Sequence, residues 1–247
     1  MTTQMNQQLW LRRICTVSTA LFGVTLTGCG GGGDAGPASA QAVAPSTTNV
    51  AAALQALLKQ PHSFALAGST STGVPITASL SVTQSAAATY QNVNYDVATV
   101  SISVRSGVNL LGTSSLTIWF TTGTVGQFFL ASSADGNCDV AKTSTVPPTS
   151  AALGQSGPYN TMTALYSCNT PTGAANSLSF ISGTRTQTWS YEVIKGIPMV
   201  CINSSLAQLA TTTESDCIEV IDANGTLGTR VLVTSMNANK VTMSLSN

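Results

Sequence analysis

Apolar residues recur along this chain mainly with a period of two. Val74, Ile76, Ala78, Leu80 and Val82 alternate with Pro75, Thr77, Ser79, Ser81 and Thr83, which predicts a strand with one face buried. Val93, Tyr95 and Val97 alternate next, but Val100, Ile102 and Val104 continue on the opposite parity. A one-residue slip would turn every side chain to the wrong face, so a bulge or strand break is predicted near Ala98–Thr99. Leu116, Ile118 and Phe120 form a further strand, turned at Gly123, and Gly126 to Ala131 returns. Trp189, Tyr191 and Val193 alternate, as do Val241, Met243 and Leu245. Ile218 to Ile221 and Thr229 to Val233 flank Asp222-Ala223-Asn224-Gly225, whose Asn-Gly step signals a hairpin.

Only one segment changes period. Val50, Leu54, Leu57 and Leu58 form a single stripe and predict a helix over Asn49–Gln60, capped at its start by Ser46, Thr47, Thr48 or Asn49 and ended by Pro61. Its stripe is expected to pack on the main domain as a lid or plug. Between residues 131 and 176 the alternation lapses around Pro147, Pro148, Gly154, Pro158 and Pro171, and an ordered loop is expected there. Short strands with frequent turns, and no repeated strand–helix alternation, give a mainly β fold: an antiparallel sandwich or (half-)barrel with one short N-terminal helix.

Composition sharpens this. Ser and Thr number 30 and 36 of 247 residues, while charged residues are only 7%. Nine basic residues balance nine acidic ones, so no basic face exists for nucleic acid. At 43% hydrophobic, the chain still has enough apolar surface for a core.

Arg12 and Arg13 are the only charges before Asp34, and Ile14 to Gly28 is an apolar run broken only by small hydroxyl residues. That run is too short to cross a bilayer, which takes roughly 20 residues, and instead has the layout of an export signal. It ends Leu26-Thr27-Gly28-Cys29, which resembles the lipobox of bacterial lipoproteins. The resemblance implies that Cys29 carries a diacylglyceryl group on sulfur, that cleavage follows Gly28, and that the new amine is acylated. Two or three acyl chains would hold the protein on a membrane without a spanning helix. The implied organisation is a signal peptide over 1–28, a lipidated Cys and flexible Gly/Ala/Ser/Pro tether over 29–48, and a single β-rich domain over 49–247. Gly30 follows Cys29 where an inner-membrane retention signal would have Asp, which favours the outer membrane, on its periplasmic or surface face. The mature chain keeps 219 residues with 7 basic and 9 acidic side chains, too weak a balance for electrostatic steering.

Export places the remaining cysteines in an oxidising compartment, so two disulfides are expected. Four cysteines allow three pairings, and the sequential one, Cys138–Cys168 with Cys201–Cys217, is favoured. None of the four has CxxC spacing and the sole histidine is His62, so no metal site or cofactor is expected.

Other candidate chemistry is sparse. His62 follows the helix end and reads as a turn residue. Gly154-Gln155-Ser156-Gly157 approaches a nucleophile elbow, but position 158 is Pro158 where the motif needs glycine. Asp135, Asn137 and Asp139 alternate like calcium ligands without the closing Glu. Trp119 and Trp189 are expected in the core, and Tyr159 and Tyr166 exposed. Glu192, Glu214, Asp216, Glu219 and Asp222 hold most of the mature acid; their spacing selects no pair, and they are expected on solvent faces of strands. No catalytic residues are therefore assigned. The reading is a lipid-anchored, non-catalytic binding or envelope-architecture module with a hydrophobic or glycan ligand, faced by the 131–176 segment and the helix. The alternatives are a cell-wall glycan hydrolase using paired carboxylates among Glu192, Glu214 and Asp216, and a surface adhesin.

Overall fold

The fold is that of a computed structural model, which describes residues 44–90, 92–121, 125–132, 137–165, 181–208 and 211–247. The elements in chain order begin β1 (Thr47–Thr48), α1 (Val50–Lys59), β2 (His62–Thr70), β3 (Pro75–Tyr90), β4 (Val93–Ser106) and β5 (Asn109–Phe120). They continue β6 (Gln127–Ser132), β7 (Cys138–Ser144), β8 (Ala151–Ala152), β9 (Ser156–Leu165) and β10 (Ile181–Ile194). Last come β11 (Ile197–Ala207), β12 (Thr212–Val220), β13 (Leu227–Met236) and β14 (Thr242–Ser246). Twelve of the strands close into an antiparallel barrel in which every neighbour is also the next barrel strand along the chain, except at one seam. There β14 pairs with β2, Met243 opposite Thr70 and Leu245 opposite Gly68. The backbones approach so closely at this seam that a Cβ on Gly68 would stand 1.8 Å from the Ser244 carbonyl oxygen.

The expected alternation sets inside from outside. Ile76, Ala78 and Val82 are buried and point inward, facing Val104, Ile118, Leu130, Val233 and Leu245 from other strands. The intervening Thr77, Ser79, Ser81 and Thr83 point out, as do Ser101, Ser103, Thr113 and Ser115 opposite them. Over β3 to β5 an apolar interior lies under a hydroxyl-covered exterior, the reverse of the outer apolar band of a membrane-spanning barrel. Many of the abundant Ser and Thr thus clothe the outside of these strands.

Helix α1 lies across one end of the barrel. Asn49 caps it, its Oδ1 accepting from Ala52 N at 2.9 Å, and Val50, Ala53, Leu54 and Leu58 are buried among inward residues of β3, β4, β5, β9, β10, β11 and β12. Its far end is held where Gln84 Nε2 donates to the Leu58 carbonyl and Lys59 pairs with Asp96 at 3.2 Å. This is the plug that the stripe predicted. Ordered structure starts ahead of it: Thr47 and Thr48 pair with Ala152 and Ala151, and Thr48 is fully buried.

The Asn-Gly hairpin forms as expected, and its glycine has a second duty. Gly225 has φ +82, and a Cβ there would lie 2.3 Å from the Asn49 carbonyl oxygen at the helix cap. Gly225→Ala is therefore expected to cost at least about 2 kcal/mol through left-handed strain plus displacement of the plug. Chemical denaturation measures it; a loss below half of that would show that the cap yields freely.

Two expectations need correction. β4 runs unbroken through Ala98–Thr99; the register shifts lie at Ser85/Ala88 on its β3 side and at Val104/Arg105 on its β5 side. Its first half is apolar on both faces, because Tyr95 and Val97 pack outside the barrel with Trp119 and Phe129. The described residues of the 131–176 segment likewise form no long loop. They contribute β7, β8 and β9, and β9 carries a bulge at Tyr159 that obscures its period.

Candidate functional site

Among the described residues, two hollows open on the outer face of the barrel. The larger, about 610 Å³, crosses the five adjacent strands β10 to β14. Thr186, Thr188, Asn203, Thr213, Ser215 and Ser244 line it, all outward by register. Ser204, Glu214, Ser235 and Met243, of opposite parity, complete its floor. A smaller hollow of about 340 Å³ lies over β3, β4 and β5, again lined by serines and Thr113. In the larger groove, Asn203 is oriented by two bonds: its Nδ2 donates to Ser190 Oγ at 3.1 Å and its Oδ1 accepts from Ser215 Oγ at 2.6 Å. The groove lining thus sets hydroxyls and one amide among side-chain methyls, Met236 and Met243, with Glu214 the one carboxylate, in a volume within the range of small-ligand sites.

The inner face of the same strands is charged. Arg185 Nε donates to Asp139 Oδ2 at 2.6 Å, and the Asp139 side chain keeps only 9% of its exposure. Next to this pair runs a belt of amides. Asn160 Nδ2 donates to Gln187 Oε1 at 2.8 Å, Gln187 Nε2 donates to Ser204 Oγ at 3.1 Å, and Ser144 Oγ donates to Asn160 Oδ1 at 2.7 Å. Glu214 stands opposite Ser204, and Asp216 opposite Ile202 and Val233, on that inner face. Both are exposed to water, although protein atoms crowd around their carboxyls on this inner wall. Burial raises the Glu214 carboxyl above its usual range, opposed by Arg185. Burial first, and then the Glu214 charge, holds Asp216 well above the carboxylate range, again opposed by Arg185.

A raised carboxyl binds its proton more tightly folded than unfolded. Its contribution favours the fold at acid pH and is lost as pH rises from about 4 through the folded value. Asp216→Asn, which removes a charge that repels Glu214, is expected to raise the thermal midpoint at pH 7 by about 1–2 °C, the response of a domain this size to ~0.5 kcal/mol, because solvent at these exposed carboxyls screens the repulsion. It should have no such effect near pH 4. Scanning calorimetry at the two pH values checks this, and equal shifts at both would refute it.

The remaining candidates divide clearly. Glu192 lies on the outer face and accepts from Ser190 Oγ, far in register from the inner acids. Glu219 accepts from Thr229 N and Arg230 N, and Asp222 accepts from Asn224 N and Thr226 N, which lowers its pKa; both acids organise the β12–β13 turn. Glu214 and Asp216 stay exposed, as expected, but at inward register positions rather than on the outer face of β12. They share parity with buried Ile218 and Val220, the signal that marks them in the sequence. Only Glu214 of the two lines the groove. Two carboxylates on one wall, two residues apart, do not flank a substrate bond from both sides as glycoside hydrolysis requires.

His62 opens β2, contacts the Ala56 carbonyl oxygen through Nε2 at 3.2 Å and stacks on Phe64, tying the helix end. Trp119 and Trp189 are buried as expected. Tyr159 is not exposed but fully buried: its hydroxyl donates to the Val125 carbonyl, and burial raises its pKa. Gly154 has φ +84 in a turn after β8, and Ser156 opens strand β9 rather than the helix that follows a nucleophile elbow. Cys201 and Cys217 stand directly opposite across β11 and β12 and are bonded. Cys138 is disulfide-bonded as well, while Cys168, its expected partner, lies outside the described residues. So do Cys29, the signal segment, Asp135 and Tyr166. Among the described residues no group of three or more His, Cys, Asp or Glu is arranged to hold a metal. No family model, curated protein or solved structure matches the chain.

Proposed function

We propose that this chain is a lipid-anchored, non-catalytic module of the bacterial cell envelope, held by acyl chains on Cys29, probing its surroundings with the groove over β10 to β14. The groove carries the reading. Its hydroxyl and amide lining offers hydrogen bonds to a neutral polyhydroxylated chain, that is, an uncharged glycan. Hydroxyl-to-hydroxyl bonds replace bonds to water and each gains little, about 0.5–1.5 kcal/mol. Single-site affinity is then weak, and many copies tethered to one membrane supply the strength by multivalency.

The test has two arms. Palmitate labelling that depends on Cys29 supports the anchor, and unlabelled protein shed into the aqueous fraction ends it. Affinity electrophoresis through gels containing dextran, a neutral glycan, against dextran sulfate tests the groove. Retardation by dextran that is lost in Thr188→Glu with Thr213→Glu, at unchanged fold, supports the site; equal migration with and without dextran removes the glycan reading.

A further inference from the structure

We infer that the helix-capped end of the barrel rests on the bilayer surface, with Val146, Leu153, Val193 and Ile221 seated among the lipid headgroups. This rests on the lipid-anchored reading above and adds an orientation to it. The four side chains are 56%, 43%, 43% and 58% exposed. They come from four separate segments, yet each segment is tied to the same short strap where the chain enters the fold. Leu153 N donates to the Ser46 carbonyl. Ala51 N donates to the Pro148 carbonyl, two residues beyond Val146. Asn49 N donates to the Ala223 carbonyl and Thr48 Oγ1 to that of Asp222, directly after Ile221. Tyr191, two residues before Val193, donates its hydroxyl to the Pro45 carbonyl at 2.5 Å.

Single exposed apolar residues are ordinary; four converging on one entry point make a patch. The antiparallel order puts Val93, 44% exposed in the β3–β4 hairpin, at this same end. The carboxylates of Asp222 and Glu192 keep their negative charge at this end, so the apolar side chains carry the contact with lipid. Lys59 is paired with Asp96, the Asp222 carboxylate is bonded within its own turn, and Glu192 accepts from Ser190. Lys195, in the β10–β11 turn beside Val193, adds attraction to anionic headgroups. The chain leads from Ala44 at this end toward Cys29 through only 14 intervening residues. A bilayer holding acylated Cys29 is therefore the surface that this patch meets first. The groove over β10 to β14 lies toward the opposite end, near the β11–β12 and β13–β14 turns, and so faces outward from the membrane.

The experiment uses the lipidated chain, cleaved after Gly28, in vesicles of phosphatidylethanolamine and phosphatidylglycerol with brominated acyl chains. Indoles are placed by Ile221→Trp and, separately, Val193→Trp at the capped end, and by Val108→Trp on the β4–β5 hairpin at the other. Emission is read against the parent protein, whose Trp119 and Trp189 are buried. Flotation of the protein with the vesicles reports the anchor independently. Loss of emission at 221 and 193 but not at 108 supports the proposal. Flotation with no quenching at 221 or 193, or with equal quenching at all three positions, overturns the orientation while leaving the anchor standing. Protein that fails to float overturns the anchor, and the orientation with it.

Discussion

Arg185→Ala is expected to remove about 3–5 kcal/mol of stability at neutral pH, the cost of stranding a buried carboxylate when its partner is deleted. Asp139, 9% exposed, would lose the guanidinium that donates to it at 2.6 Å. Glu214 and Asp216 would lose the positive charge that offsets their burial. With both acids pushed further up, the variant's stability should fall more steeply than the parent's as pH rises from about 4 toward 7. Urea denaturation across that range measures the effect. Arg185→Lys should recover only part of it, since an ammonium restores charge but not the fixed fork. A pH-independent loss below about 1 kcal/mol would mean that the inner acids are solvated well enough to need no partner.

Replacing Cys201 and Cys217 together by alanine is expected to cost about 3 kcal/mol, from release of a 16-residue loop in the unfolded chain. The thermal midpoint should then drop by roughly 6–12 °C for a domain of this length. The bridge also anchors an outer apolar cluster with Met199 and Leu232, so a packing loss adds to the entropic one. Because both cysteines are buried, mild reductant should leave the native protein intact while the double variant melts early. A double variant with the parent's midpoint would show that strand pairing alone holds β11 to β12.

The strand faces were legible wherever one side of a strand is apolar and the other carries hydroxyls, as in β3. Reading failed where that contrast disappears. β4 packs apolar residues on both faces, so Tyr95 and Val97 looked like a slipped register when they sit under Trp119. In β9 the bulge at Tyr159 puts two buried residues in succession, Tyr159 and Asn160, and a proline precedes them. The inner acids share parity with Ile218 and Val220; their charge argues for the outer face, and inside a water-reached barrel parity decides. The groove was beyond local pattern altogether. Thr188, Thr213 and Ser244 each read as an ordinary solvent-facing residue, and only the order of five strands around the ring brings them to one hollow.

That ring order also dictates how the molecule can be assembled. Eleven of its twelve seams join neighbours along the chain, so each hairpin can zip as soon as its second strand is available. The twelfth joins partners such as Gly68 and Leu245 that are separated by nearly the whole fold. Until Thr242–Ser246 docks, the growing sheet keeps two raw edges, at β2 and at β13, each able to recruit a foreign strand. The vulnerable interval in the life of this protein is therefore before closure, and a truncation that removes Met243 and Leu245 should yield an aggregating sheet rather than a slightly weakened barrel.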